Sequence, residues 1–149
     1  MRNLRAGQFA SSNPRSVLLA GALAYRADGP DGVQVGVFGW ADPNTGLVDN
    51  VRTLSRQRLG LILPIIGFRT IPRLWDVIPP GYEVTLASAG DFVVSFPGGA
   101  VVGQDVRASL LDGSPVSGET SGTEGTPWVV MQNAAPGELC VISSWSRMQ

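Results

Sequence analysis

The 149-residue chain contains no histidine and no lysine; all eleven basic residues are arginine, and Cys140 is the single cysteine. These absences exclude much of enzyme chemistry. A Ser-His-Asp triad needs an imidazole base, and a Schiff base or a Walker A phosphate loop needs a lysine. A lone cysteine forms no internal disulfide and, without histidine, does not complete the usual zinc sites. Between Leu139 and Val141 it reads as a small buried strand residue. No metal, cofactor or catalytic residue is therefore assigned. An enzyme working with carboxylates alone would need two of Asp76, Glu83, Asp91, Asp105 and Glu138 about 5 to 9.5 Å apart in a cleft, and Asp91 reads better as a turn residue.

Membrane-spanning length is also missing. Val17–Ala24 is apolar for only eight residues, against the ~20 that a bilayer-crossing helix requires. Arg2, Arg5 and Arg15 ahead of that run, and Ala22-Leu23-Ala24 at its end, have ingredients of a secretory signal. The polar Ser11-Ser12-Asn13-Pro14 interrupts the passage from charge to apolar core, so no signal is expected. Nor does any stretch carry a convincing amphipathic helical period.

What is present is short, alternating and punctuated by turns. Ile78 to Val94 is the clearest stretch: Pro79-Pro80-Gly81 makes a turn, Tyr82, Val84 and Leu86 alternate with Glu83 and Thr85, and Ser88 to Asp91 turns into Phe92-Val93-Val94. It predicts a hairpin or meander. Asp28 to Gly32 is another turn. Val33 to Trp40 follows as one strand, its valines on one face and Phe38 and Trp40 on the other, so a second core layer or a partner must cover both. Asp42 to Gly46 turns into a short strand over Leu47 to Val51.

Leu59 to Phe68 is the most apolar stretch. Gly60, Pro64 and Gly67 interrupt it too often for a helix, which predicts two strand pieces with a proline kink at a sheet edge or bulge. A bare apolar edge is an aggregation hazard, so either the subunit's own fold or a neighbouring subunit covers it. Leu61, Ile62, Leu63, Ile65 and Ile66 are the candidate oligomer interface. Further on, Ala100 to Val106 is a strand and Asp112-Gly113 a tight turn. Val116 to Thr126 reads as an exposed polar loop, and Trp128 to Met131 and Leu139 to Trp145 as the last strands. Eight or nine short strands with turns every 8 to 12 residues is the spacing of a sandwich or barrel.

A chain of this length fits one domain able to bury roughly 68 to 70% of its extended surface. We expect an all-β fold, a compact β-barrel or jelly-roll-like sandwich of short antiparallel strands over residues 14–149, preceded by an extended amino-terminal arm over residues 1–13. Charge is divided along the chain: residues 1–73 carry a net +5 and residues 74–149 a net −6. Such polarity favours oriented contact with a macromolecule or between copies, unless folding mixes the two halves. The arginines lack interleaved aromatics and any nucleic-acid-binding motif, so neither nucleic acid nor membrane is an expected partner.

Several segments resemble one family in the same order along nearly the whole chain. They are FASSNPRS (Phe9 to Ser16), VGVFGWAD (Val35 to Asp42), Gly46 to Asn50 with the later Ile66-Gly67-Phe68, the Ile78 to Val94 unit, and APGELCVISSW (Ala135 to Trp145). Together they resemble the structural cement, or decoration, proteins of tailed bacteriophages. The resemblance implies a small β-rich subunit, a homodimer or alternatively a homotrimer, on the outer capsid surface of the virion, where it would clamp adjacent major capsid proteins. The alternative class is a secreted or surface β-domain that binds protein or glycan. The expected capsid contacts are Arg2, Arg5, Phe9 and Asn13 of the arm and Arg15 just after it, together with Trp40. Trp145 is expected in the core.

Overall fold

The computed structural model describes residues 6–7, 17–18, 25–64 and 76–144, and the regular structure in them is all strand. In chain order the strands are β1 (Val17–Leu18), β2 (Arg26–Ala27), β3 (Val33–Gln34), β4 (Phe38–Ala41), β5 (Leu47–Asp49), β6 (Arg58–Leu63), β7 (Val77–Ile78), β8 (Thr85–Ala89), β9 (Asp91–Ser95), β10 (Asp105–Ser109), β11 (Pro115–Ser117), β12 (Thr123–Val130) and β13 (Leu139–Ser143). Six of them form a sheet in the order β1-β8-β6-β4-β5-β2, antiparallel except for the parallel β2–β5 pair. Five form a fully antiparallel sheet in the order β11-β10-β12-β13-β9. β3 and β7 pair by themselves. The expected all-β sandwich is the fold observed.

Side-chain alternation along β4, β6 and β8 makes the six-stranded sheet apolar on both faces. Phe38, Trp40, Leu61, Leu63 and Ala87 point into a core shared with Phe92, Val94, Trp128, Cys140 and Ile142 of the five-stranded sheet. Ala41, Ile62 and Leu86 point the other way, into a second core closed by Tyr25, Ala27, Val33, Val48, Ile78 and Val84. The cover that Val33 to Trp40 requires thus comes from within the chain.

Five sequence expectations change. Ala100 to Val106 is not one strand: the chain turns at Val102-Gly103, with Gly103 at φ 87°, and β10 begins only at Asp105. Val33 to Trp40 is two strands in different sheets, because Gly36 adopts φ 80° and turns the chain between them, a conformation that costs glycine little. Arg58–Leu63 is an interior strand between β8 and β4 rather than an edge, and Pro64 lies just past its last paired residue, where its missing N–H leaves no ladder bond unmade. β8 and β9 do not pair: the chain crosses from one sheet to the other at Gly90, so the expected hairpin is a corner. Finally, Val116 to Thr126 is not simply a loop, since β11 and the start of β12 occupy its two ends. The tight turn at Asp112-Gly113 joins β10 to β11 as expected, with Gly113 N donating to Ser109 O at 2.8 Å.

Candidate interaction surface

The residues expected to touch partners fall into three groups. Trp40 is fully buried; its indole faces the inter-sheet core, and Nε1 donates to Glu124 Oε2 at 3.3 Å. It lies in the other core from Val33 and Val35, although the turn at Gly36 and not a single strand's register separates them, and the five-stranded sheet covers its face. The folded subunit therefore does not present Trp40 to a partner. Leu61, Ile62 and Leu63 are likewise buried, shared between the two cores by alternation, so the chain's own fold covers them and leaves them unavailable to a second subunit. Arg2, Arg5, Phe9, Asn13, Arg15, Ile65, Ile66 and Trp145 lie outside the described residues.

The amino-terminal stretch has one described foothold. Gly7 N donates to Val93 O on β9 at 2.7 Å, and Gly7 is buried. A Cβ on Gly7 would approach Gly36 Cα and Ile62 O to 3.2 Å, and a Cβ on Gly36 would collide with Ala6. Ala6 and Gly7 therefore sit in a notch at the seam, touching β9 of one sheet and the Gly36 turn and β6 of the other. The expected arm has a fixed point on the body within its first seven residues.

At one end of the sandwich, residues 50–57 and the β10–β11 turn are joined by Arg52 N donating to Leu110 O at 3.1 Å. The 50–57 loop is heavily braced. Arg52 Nε meets Glu124 Oε1 at 2.7 Å, and the Arg56 guanidinium bridges Asp28 and Asp49, the latter at 2.9 Å. Asn50 Nδ2 donates to Phe38 O at 3.0 Å and Gln57 Nε2 to Leu54 O at 2.7 Å. On this frame Leu54 is 90% exposed, and Leu111 on the joined turn is 81% exposed. Sequence reasoning missed both. Their signal was a leucine beside polar turn residues, Leu54 between Thr53 and Ser55 and Leu111 ahead of Asp112-Gly113.

The Arg52–Glu124 pair also crosses the charge divide, tying the arginine-rich half to the acidic half. Such partly exposed pairs are worth up to about 1 kcal/mol each, so their chief effect here is on loop geometry. Elsewhere, Val101, Val102 and Met131 make a smaller exposed apolar group. They are brought together as Val102 N donates to Asn133 Oδ1 at 2.9 Å and Gly103 N to Val130 O at 2.9 Å. Cys140 is buried, its Sγ donating to Gln132 O at 3.2 Å, and burial pushes its thiol pKa up. A buried thiol held in its neutral form is inert packing. Among the described residues, no cluster of three or more acidic or sulfur ligands could hold a metal ion.

The family model described as XM1 gp53 minor capsid protein matches residues 1–144. No curated protein matches the chain. Among solved structures, a chain from "The capsid of Myoviridae Phage XM1" superposes with a TM-score of 0.65 at 17% identity, covering 95% of this chain and 89% of that one. At that identity the superposition speaks for the fold, and the family match for kinship.

Proposed function

The chain belongs to the XM1 gp53 minor capsid protein family, and from that membership we propose that it acts as a head cement protein. It is a structural component of a phage capsid. In the proposed role it binds the outer surface of the major capsid protein lattice and stabilises the mature head by bridging neighbouring capsomers. The family match over residues 1–144 is the observation that carries this reading.

The architecture supports it physically. With both faces of the six-stranded sheet covered internally, the subunit is a self-sufficient body whose remaining resource is its surface. Many copies attached to a lattice stabilise it even though each contact is modest, because attachment at one point raises the effective concentration for the next. The amino-terminal residues Arg2, Arg5, Phe9, Asn13 and Arg15 are the proposed charged grip, the arginines supplying charge-assisted hydrogen bonds to carboxylates of the shell. Self-association as a homodimer, or alternatively a homotrimer, belongs to the same proposal; exposed Val101, Val102 and Met131 are a surface for it, and Ile65 and Ile66 are candidates by sequence alone.

Adding the purified protein to heads assembled without it tests the role. Saturable uptake with a raised temperature of head disruption is the expected result. Heads that take up none of it, or take it up with no gain in stability, contradict the cement reading.

A further inference from the structure

We infer that the free edge of β11 is a docking site for an extended, arginine- or lysine-bearing segment of the major capsid protein, which adds to the five-stranded sheet as a sixth strand. The inference rests on the capsid-binding role proposed above, and names a surface that performs it and the chemistry of what that surface takes.

β11 ends its sheet, with β10 on one side and no strand among the described residues on the other. Ser109 N donates to Ser114 O, and Gly118 N to Asp105 O, both at 2.9 Å. In the antiparallel register that sets Arg107 opposite Val116, bonded and non-bonded pairs alternate, so Val116 turns its backbone to β10 and its neighbours turn theirs away. The N–H and C=O of Ser117 and the C=O of Pro115 therefore point outward, with no hydrogen-bond partner among the described residues. A cleft of about 330 Å³ lies here, lined by Pro97-Gly98-Gly99, by β11 and by Asp112 of the β10–β11 turn. That is the small end of the about 300 to 1,000 Å³ usual for ligand sites, which suits a short run of extended chain and not a folded element. A Cβ on Gly98 would meet nothing within 4 Å, so this wall leaves open space.

Edge strands are commonly blunted by shortness and by proline, and β11 has both: it is three residues long, and Pro115 has no N–H. One complete pairing station remains. A residue placed antiparallel opposite Ser117 exchanges two hydrogen bonds with it, and the residue two places along donates a third to Pro115 O. The pattern discourages indiscriminate sheet-to-sheet pairing while leaving a short segment three bonds to make. Ser117 is also held in place, its Oγ accepting from Val101 N at 3.1 Å and donating to Gln104 Oε1 at 2.6 Å. An edge ordered before binding loses little conformational entropy on docking.

Charge selects the segment. Asp112 is the charged residue of the lining. Its Oδ1 accepts from Ser114 N at 3.0 Å, and no arginine among the described residues pairs with it. The described residues together carry twelve carboxylates against five arginines, so the surrounding field also favours a cation. A guanidinium or ammonium on the incoming strand meets Asp112, and the strand's own backbone meets Ser117 and Pro115.

The test measures binding to heads assembled without this protein for the full-length wild type, S117A, S117P and D112N. S117A keeps the outward N–H; S117P removes it without taking a bond from β10. Loss of one hydrogen bond corresponds to about fivefold in affinity, and the proline ring also obstructs an incoming strand, so S117P should bind at least fivefold more weakly than S117A. D112N keeps the acceptor for Ser114 N and loses the charge; it should bind about threefold more weakly than the wild type, the gap closing as salt is raised. On docking of the wild type, amide exchange in residues 115–118 should slow, because Ser117 carries the amide there that is unbonded in the free protein. Equal binding by S117A and S117P, or unchanged exchange in residues 115–118, overturns the docking edge and leaves the cement role standing. Failure of the wild type to bind overturns the cement role itself. D112N binding as the wild type does at low salt overturns the choice of a cationic segment, and with it the inference. The exchange measurement uses the wild type alone, so it decides the matter even where S117P misfolds. If S117P dissolved a wild-type oligomer seen by light scattering, the edge would join copies of this chain and the inference would be wrong.

Discussion

The Trp128 indole Nε1 donates to the carbonyl oxygen of Gly90 at 2.9 Å, across 38 residues of sequence. Gly90 is the corner at which the chain leaves the six-stranded sheet for the five-stranded one. Ser144 closes the same corner from the other side, its Oγ accepting from Gly90 N at 2.8 Å and its own N donating to Gly90 O at 3.2 Å. Trp128 also packs against Phe38 and Phe92, with ring centroids 5.7 and 6.3 Å away. One side chain thereby unites the two sheets and their crossing point.

Trp128→Ala should accordingly cost about 3 to 5 kcal/mol of folding stability, enough to threaten a marginally stable domain. Trp128→Phe retains the ring packing and loses the donor to Gly90 O, which Ser144 N still serves, so its cost should be about 1 kcal/mol. Urea unfolding followed by circular dichroism measures both. Equal losses for the two variants would mean that packing against Phe38 and Phe92 contributes little.

For Trp40 the expected outcome is now that of a core residue. Trp40→Ala should lower the melting temperature as severely as Trp128→Ala, because the side chain is fully enclosed. A Trp40→Ala protein that melts with the wild type and fails only in head binding would contradict the placement of this indole in the inter-sheet core.

These two tryptophans also mark what was legible in the chain. Strand type, turn positions such as Asp112-Gly113, and the shared facing of Phe38 and Trp40 follow from period-2 alternation and turn chemistry, which are local. Which sheet a strand joins is not local. Thr85–Ala89 and Asp91–Ser95 look like hairpin partners because a short turn separates them, yet the non-local pairings of β8 with β6 and of β9 with β13 decide the matter. Leu61 to Leu63 looked like an unprotected edge for the same reason: the pattern shows that both faces are apolar and is silent on whether a second sheet or a second subunit covers them. The bracing of the 50–57 loop is likewise not legible locally, since its partners Asp28 and Glu124 are remote in sequence.

The notch at the seam predicts a specific effect at the amino terminus. A Cβ on Gly36 would lie 2.4 Å from the Ala6 Cβ, so the Ala6 methyl already fills the space over Gly36, and Ala6→Leu crowds that contact while leaving the conformation of Gly36 itself unaltered. The variant should melt close to the wild type while the Gly7 amide, which donates to Val93 O, exchanges with solvent at least tenfold faster. Hydrogen exchange read by NMR or mass spectrometry checks this. Unchanged protection of Gly7 would show that Ala6 is not gripped there.

Cys140 supplies a pH dependence. Burial raises its thiol pKa, so between the ordinary thiol pKa of about 8.5 and the raised folded value the unfolded chain releases a proton that the folded chain keeps. Stability from this group is therefore intact below that range and declines as pH rises through it. Cys140→Ala should flatten the decline, and the wild-type thiol should resist alkylation until the protein unfolds. Rapid alkylation of the native protein at pH 7 would contradict its placement in the core.

The central claim is attachment to the outside of a capsid lattice, and a difference map between heads with and without this protein tests it most directly. Electron cryo-microscopy of the two particles should show density for the two-sheet body on the outer surface, contacting at least two neighbouring major capsid subunits. Density confined to the head interior, or bodies each seated on a single subunit with no neighbour bridged, would contradict the cement role.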